Sequence, residues 1–289
     1  MRTVAENLEE TAASICASLE SLYPTNVVLR DVNTPGSGVI FVGASNVLPK
    51  LDNERRRARS QIGAALDHFL AVVHALVHSQ PKAIRDVLSK AEKTLKSVVD
   101  ESRVSFRSTD ELKAGVRQSM DSLLALVADL HDDSEGLTLL VPDTNALLSR
   151  PSVYSWQYED IGAFQIVLVP SVLAELDNLK TNHRNPDVRD KANALIRQMK
   201  ELRRRGRLSD GVTVVRDRTT LRALAVEPNL DESLPWLDRT NKDDRILASC
   251  LEVMRAHPRC IMVLVTGDIN LQNKAEFALV PFLEPPSEV

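Results

Sequence analysis

Cysteine is scarce in this sequence: 289 residues contain Cys16, Cys250 and Cys260, an odd number with no Cys-x-x-Cys spacing. That excludes a disulfide framework and a zinc site of the usual spacing, and a reduced, cytoplasmic protein is the expectation. Long apolar runs are missing too. The longest, such as IMVLV (261–265), are strand-sized, so no membrane span is expected. The N-terminal MRTVAENLEE is acidic where a signal peptide would be basic and then apolar. Excess positive charge is also lacking. The formal net charge is −4 and the pI about 5.9, so bulk charge does not advertise a nucleic-acid partner. Aromatic residues are 4% of the chain, and three of them, Tyr154, Trp156 and Tyr158, sit at alternate positions. They are candidates either for stacking unpaired bases or for anchoring a loop to the core.

What is present is an ordinary globular composition, 43% hydrophobic and 26% charged, on a chain long enough for two domains. The first, residues 1–135, reads as mainly helical. Val4, Leu8, Ile15, Leu19 and Leu22 carry helical spacing that ends near Pro24. NVVLRDV and VIFVG around a TPGSG turn suggest a small hairpin. Residues 54–79 place Ile62, Leu66, Phe69, Val73 and Leu76 at three- and four-residue spacing. Pro81 opens another helix, and Ser108-Thr109-Asp110-Glu111 caps a third. His74 and His78 are an i, i+4 pair on the first of these helices, with a surface or interface pair outweighing a metal site. The region shows no chemistry of its own, and presenting substrate, dimerisation or docking of a protein partner are the roles open to it. The polar stretch DDSEG (132–136) is a linker, placing the boundary near residue 135.

Beyond it the pattern changes. LTLLV (137–141), IVLV (166–169), VTVV (212–215) and IMVLV (261–265) are short apolar runs without alternation, separated by helical stretches. That pattern predicts a parallel sheet in an α/β domain, residues 136–289. In open parallel sheets ligands bind outside the carboxyl ends of the strands, and Asp143 and Asp268 each follow a strand there. Glu175 lies about one turn into the helix after the second strand, and Asp243 and Asp244 open another helix. Any one of these acids alone is explained by capping or by the helix dipole. Together they point to a single crevice where unpaired carboxylates would repel one another. A hard divalent cation removes that penalty, Mg²⁺ or Mn²⁺ suits an all-oxygen donor set, and phosphodiester hydrolysis is the chemistry such a site serves. Thr144, Asn145, Thr266 and Asn270 are auxiliary candidates for binding metal waters or phosphate.

At VPDTNALL (141–148), VPSVLAELDNLK (169–180), NKDDRILASC (241–250) and VLVTGDINLQNKA (263–275) the sequence resembles the PIN-domain ribonucleases, over roughly residues 137–281. The resemblance implies an α/β/α sandwich and a Mg²⁺- or Mn²⁺-dependent endonuclease acting on single-stranded RNA. It assigns Asp143, Glu175, Asp244 and Asp268 as catalytic and metal-holding, and it ranks Asp244 above Asp243, which stays an auxiliary ligand candidate. A catalytically silent RNA- or protein-binding scaffold and a structure-specific DNA nuclease are the alternatives. Residues 180–207 carry ten basic residues against three acids, a net +7. Lys180, Arg184, Arg203, Arg204 and Arg205 are therefore candidates for the phosphate backbone, against a plain solvated helix face.

Overall fold

The computed structural model describes residues 3–32, 46–77, 80–100, 103–128, 137–257 and 260–286. They form two compact units, one within residues 5–130 and one from residue 137 onward. The predicted linker, 132–136, lies outside the described residues.

The first unit is helical, with a minor sheet. Helix α1 (Val4–Leu22) buries Leu8, Ala12, Ile15 and Leu19 along one stripe, as three- and four-residue spacing requires. Helices α2 (Asn53–Val77), α3 (Lys82–Asp100) and α4 (Thr109–Ala128) pack together, with Leu66, Phe69, Leu95, Leu112 and Leu123 at their centre. The hydroxyl of Tyr23 donates to the Val98 carbonyl at 3.1 Å, closing the end of α1 onto α3. By length and composition α2 is long and apolar enough to cross a membrane, which corrects the expectation that no segment is. Its Ile62, Leu66, Phe69 and Val73 are buried in this unit, the pattern of a core helix. His74 Nε2 meets Glu92 Oε2 of α3 at 2.9 Å; His78 lies outside the described residues.

Three two-residue strands, β1 (Arg30–Asp31), β2 (Asn46–Val47) and β3 (Arg103–Val104), form an antiparallel sheet in that order. The predicted hairpin strand VIFVG (39–43) lies outside the described residues. Among those described, the partner of β1 is β2, which pairs in turn with β3.

The second unit is an α/β fold around a six-stranded sheet of order β6-β7-β5-β4-β8-β9. Its strands are β4 (Thr138–Pro142), β5 (Phe164–Leu168), β6 (Val212–Val215), β7 (Thr219–Ala223), β8 (Ile261–Val265) and β9 (Phe282–Leu283). Strands β7, β5, β4, β8 and β9 run parallel, and β6 is antiparallel at the edge. The sheet is therefore mixed. VTVV is not a buried parallel strand: only alternate residues of β6 are fully buried, and a tight turn with Asp217 at φ 56° returns the chain into β7. On the side away from β4, the parallel neighbour of β5 is TTLRA, whose polar residues deny it the apolar run expected of such a strand.

The helices are α5 (Thr144–Ser149), α6 (Pro170–Asn182), α7 (Pro186–Arg205), α8 (Lys242–Ala256) and α9 (Ile269–Phe277). From β4 the chain moves outward through β5 to β7; from β8 it moves the other way, to β9. With right-handed crossovers this puts α5, α6 and α7 on one face and α8 and α9 on the other. The order reverses between β4 and β8, which opens a crevice at their carboxyl ends. The strand residues at 139–141 and 263–265 are all at most 1% exposed, so the floor of the crevice is rigid.

Candidate metal centre

Two of the acids are placed by the ends of the central strands. Asp143 follows β4, its N–H held by the Val265 carbonyl of β8 at 3.0 Å, and it caps α5 by accepting from Ala146 N at 2.6 Å. Asp268 follows β8 and caps α9, accepting from Asn270 N at 2.8 Å and Leu271 N at 3.3 Å. Thr266 joins them: its hydroxyl donates to Asp143 Oδ2 and accepts from Asp268 N at 3.0 Å. A short polar side chain at a helix start satisfies N–H groups that have no partner in the helix. The capping explanation of these acids is therefore correct, and it leaves their carboxylates fixed at the crevice.

Glu175 reaches the same place from α6. The Thr144 hydroxyl donates to its Oε2 at 2.8 Å and Lys242 Nζ to its Oε1 at 2.7 Å. The third contribution comes from α8, capped by Asn241, whose Oδ1 accepts from the N–H of Asp243 and of Asp244. The two aspartates then diverge. Asp244, 4% exposed, takes Lys274 Nζ of α9 on Oδ1 at 2.5 Å and the Asp238 N–H on Oδ2 at 2.9 Å. Asp243 instead feels the charges of Asp268, Asp244 and Glu175, relieved only by Lys274.

The electrostatics follow from that crowding. Burial pushes the Asp143 carboxyl above its ordinary value; hydrogen bonds from Thr266 and Ala146 oppose this, and the charges of Asp243 and Asp268 add to it. Burial also raises Asp243, with Asp268 the next cause. Carboxylates raised by their neighbours in this way are the arrangement a cation relieves. The donors are all oxygens, which fits a hard divalent ion and not zinc. The two lysine ammonium groups supply part of that relief themselves. Among the described residues no group of three Asp, Glu, His or Cys side chains is placed to hold a metal ion; the acids are coupled by charge across the crevice.

The remaining candidates divide. The Thr144 and Thr266 hydroxyls donate to Glu175 and Asp143. Asn145 and Asn270 are exposed. Lys180 pairs with Asp177 and, with the exposed Arg184, lies toward the end of α6 remote from the acids. Helix α7 packs back along α6 after a three-residue connection, so its C-terminus returns to the acidic end of the sheet. Just beyond it, the Leu208 carbonyl accepts from Ala223 N at the carboxyl end of β7, at 2.9 Å. Arg203, Arg204 and Arg205 are exposed there.

Of the two readings of Tyr154, Trp156 and Tyr158, loop anchoring holds for two of them. Trp156 is fully buried, with Nε1 donating to the Arg150 carbonyl at 3.0 Å, and the Tyr158 hydroxyl donates to the Glu284 carbonyl at 3.3 Å. Both tie loops to the core. Tyr154 lies under the Arg205 guanidinium, 6.0 Å from the ring centre. Reasoning from sequence missed Lys242 and Lys274, which stand in the matched stretches but carry no signal that they turn toward the acids. It also missed the pair Trp236 and Phe277, whose rings meet across 41 residues of chain with centres 5.4 Å apart.

An α/β domain that gathers carboxylates at the switch point of a mostly parallel sheet has a nuclease-like architecture. The PIN-domain family model matches residues 140–282, and the C-terminal half of the chain is a PIN domain. PIN domains are generally nucleases, and those nucleases typically use divalent metals. No curated protein matches the chain.

Proposed function

We propose that the C-terminal unit is a divalent-metal-dependent endonuclease that hydrolyses phosphodiester bonds of single-stranded RNA. The observation that carries this reading is the gathering of carboxylates at the switch-point crevice, where Thr266 joins Asp143 to Asp268, Thr144 brings in Glu175, and Asp243 feels Asp268 and Glu175. Folding such repulsion into a rigid strand-end site costs stability, and a PIN fold gives that cost a use.

In this reading Asp143, Asp243 and Asp268 hold the cation and Glu175 holds it or orients the attacking water. Asp244, which the resemblance ranks above Asp243, braces the site in this reading through Lys274 and the Asp238 N–H. Mg²⁺ or Mn²⁺, when bound, would supply Lewis acidity toward water and neutralise charge on the scissile phosphate. Thr266 keeps Asp143 and the start of α9 in register. Lys242, paired with Glu175, is exposed enough to meet a phosphate oxygen.

One observation favours the silent scaffold: Lys242 and Lys274 already neutralise two of the five acids. Asp143, Asp243 and Asp268 remain without such a lysine contact among the pairs described, which keeps a net negative site. The test incubates the purified chain with single-stranded RNA, single-stranded DNA and a flap substrate, in Mn²⁺, Mg²⁺ or chelator. Cleavage of the RNA in metal, lost in chelator and reduced about 100-fold or more by Asp143→Asn, is expected. Binding without cleavage in either metal would establish the scaffold, and preferential cutting of the flap would establish the DNA nuclease.

A further inference from the structure

We infer that Trp236 and Phe277 form a stacking platform for a nucleobase of a single strand lying across the acidic crevice. This rests on the reading of that crevice as a nucleic-acid site. Their ring centres are 5.4 Å apart at an interplanar angle of 56°, a tilted pair. Phe277 is 56% exposed and Trp236 is only partly buried. A chain with 4% aromatic residues keeps two of its largest side chains together at the surface here.

Their attachment gives the pair its meaning. Trp236 lies two residues before Asp238, whose N–H donates to Asp244 Oδ2 at 2.9 Å. Phe277 lies one helical turn beyond Lys274, whose ammonium meets Oδ1 of the same carboxylate at 2.5 Å. The buried Asp244 thus ties the connection that carries Trp236 to the helix that carries Phe277, and it is the immediate chain neighbour of Asp243. The same bracket that fixes Asp244 holds together the two segments that carry the rings. A phosphate drawn to the crevice leaves its flanking base within reach of an exposed aromatic surface, and every base has a face that stacks.

The two tryptophans of the chain make the test direct, because Trp156 is buried and Trp236 is accessible. The Asp143→Asn chain in Mg²⁺, in which the strand stays intact, is titrated with an RNA oligonucleotide, the DNA oligonucleotide of the same sequence, and a strand of abasic sites of the same length. Quenching of tryptophan emission by both base-bearing strands is expected, and its loss in Trp236→Phe. Adding Trp236→Ala or the exposed Phe277→Ser should weaken base-bearing strands by roughly 5- to 100-fold. The abasic strand should change less than about twofold, and Trp236→Phe should retain most of the affinity. Equal weakening of all three strands, binding without quenching, or no binding at all would overturn the platform. Metal-dependent cleavage that proceeds with no dependence on the bases would overturn the platform alone. Base-dependent quenching by a chain that never cleaves would overturn the nuclease reading alone.

Discussion

Asp143 carries both the local and the tertiary requirements of the site. As a cap it satisfies the Ala146 N–H; as an acid it is raised by burial and by the charges of Asp243 and Asp268. A carboxyl raised in the folded state contributes stability that is present at low pH and lost as pH rises through the folded value. In chelator, Asp143→Asn should therefore melt at a higher temperature than the native chain at neutral pH. The gap should close as pH falls through the raised value toward the ordinary carboxylate range. Thermal unfolding followed by circular dichroism from about pH 4 to pH 8 reads it directly. A variant that melts lower than the native chain at neutral pH would show that the charge costs the fold nothing. Asp244 is the contrasting case. It ranks first by resemblance, yet both of its oxygens are engaged by Lys274 and the Asp238 N–H. Adjacent residues on a helix point about 100° apart, and nothing in Asp-Asp tells which one faces the crevice.

Among the elements, α7 shows how one helix divides its residues between packing and solvent. Ala192, Leu195, Met199 and Leu202 are buried, and its last turn exposes Arg203, Arg204 and Arg205. Three guanidinium groups in a last turn are favourable against the helix dipole whether or not they meet a ligand. What singles them out is that the return of α7 along α6 carries them to the acidic end of the sheet. Replacing all three by Gln should weaken binding of single-stranded RNA. It should also flatten the dependence of log affinity on log salt by about 0.7 for each phosphate that is no longer neutralised. Fluorescence anisotropy across a salt series measures this, and an unchanged slope would leave the cluster as a solvated face. Strand β7 teaches a different lesson. TTLRA lacks the apolar signature of a parallel strand because only part of it is covered, with Thr219 and Leu221 buried and their neighbours half-exposed. Its place in the sheet was set by pairing with β5 and could not be read from its own residues.

At the scale of the whole molecule, each of the two units has its own buried core, and both tryptophans belong to the C-terminal one. Tryptophan emission therefore reports the unit that holds the acids. If they take Mg²⁺, a concentration near 100 times the dissociation constant adds about 2.7 kcal/mol to that unit. The emission-detected melting midpoint should then rise by about 5–10 °C over that in chelator. Asp143→Asn should lose most of the rise, and a midpoint indifferent to Mg²⁺ would mean that the carboxylates do not take the ion. What the sequence determined by itself was local or repetitive. The alternation of short apolar runs with helical stretches specifies the α/β architecture, because burial on both faces imposes it over four or five residues. Asp143 and Asp268 could be placed because a cap involves only the next two or three N–H groups. Tertiary structure decided the rest: the edge role of β6, the strand β7, the orientation of Asp243 and Asp244, and the lysines that partner the acids. It also brought Trp236 to Phe277. Each of these depends on groups far apart in the chain meeting once the sheet closes, as Lys274 meets Asp244, and such a meeting leaves no periodic mark in either segment.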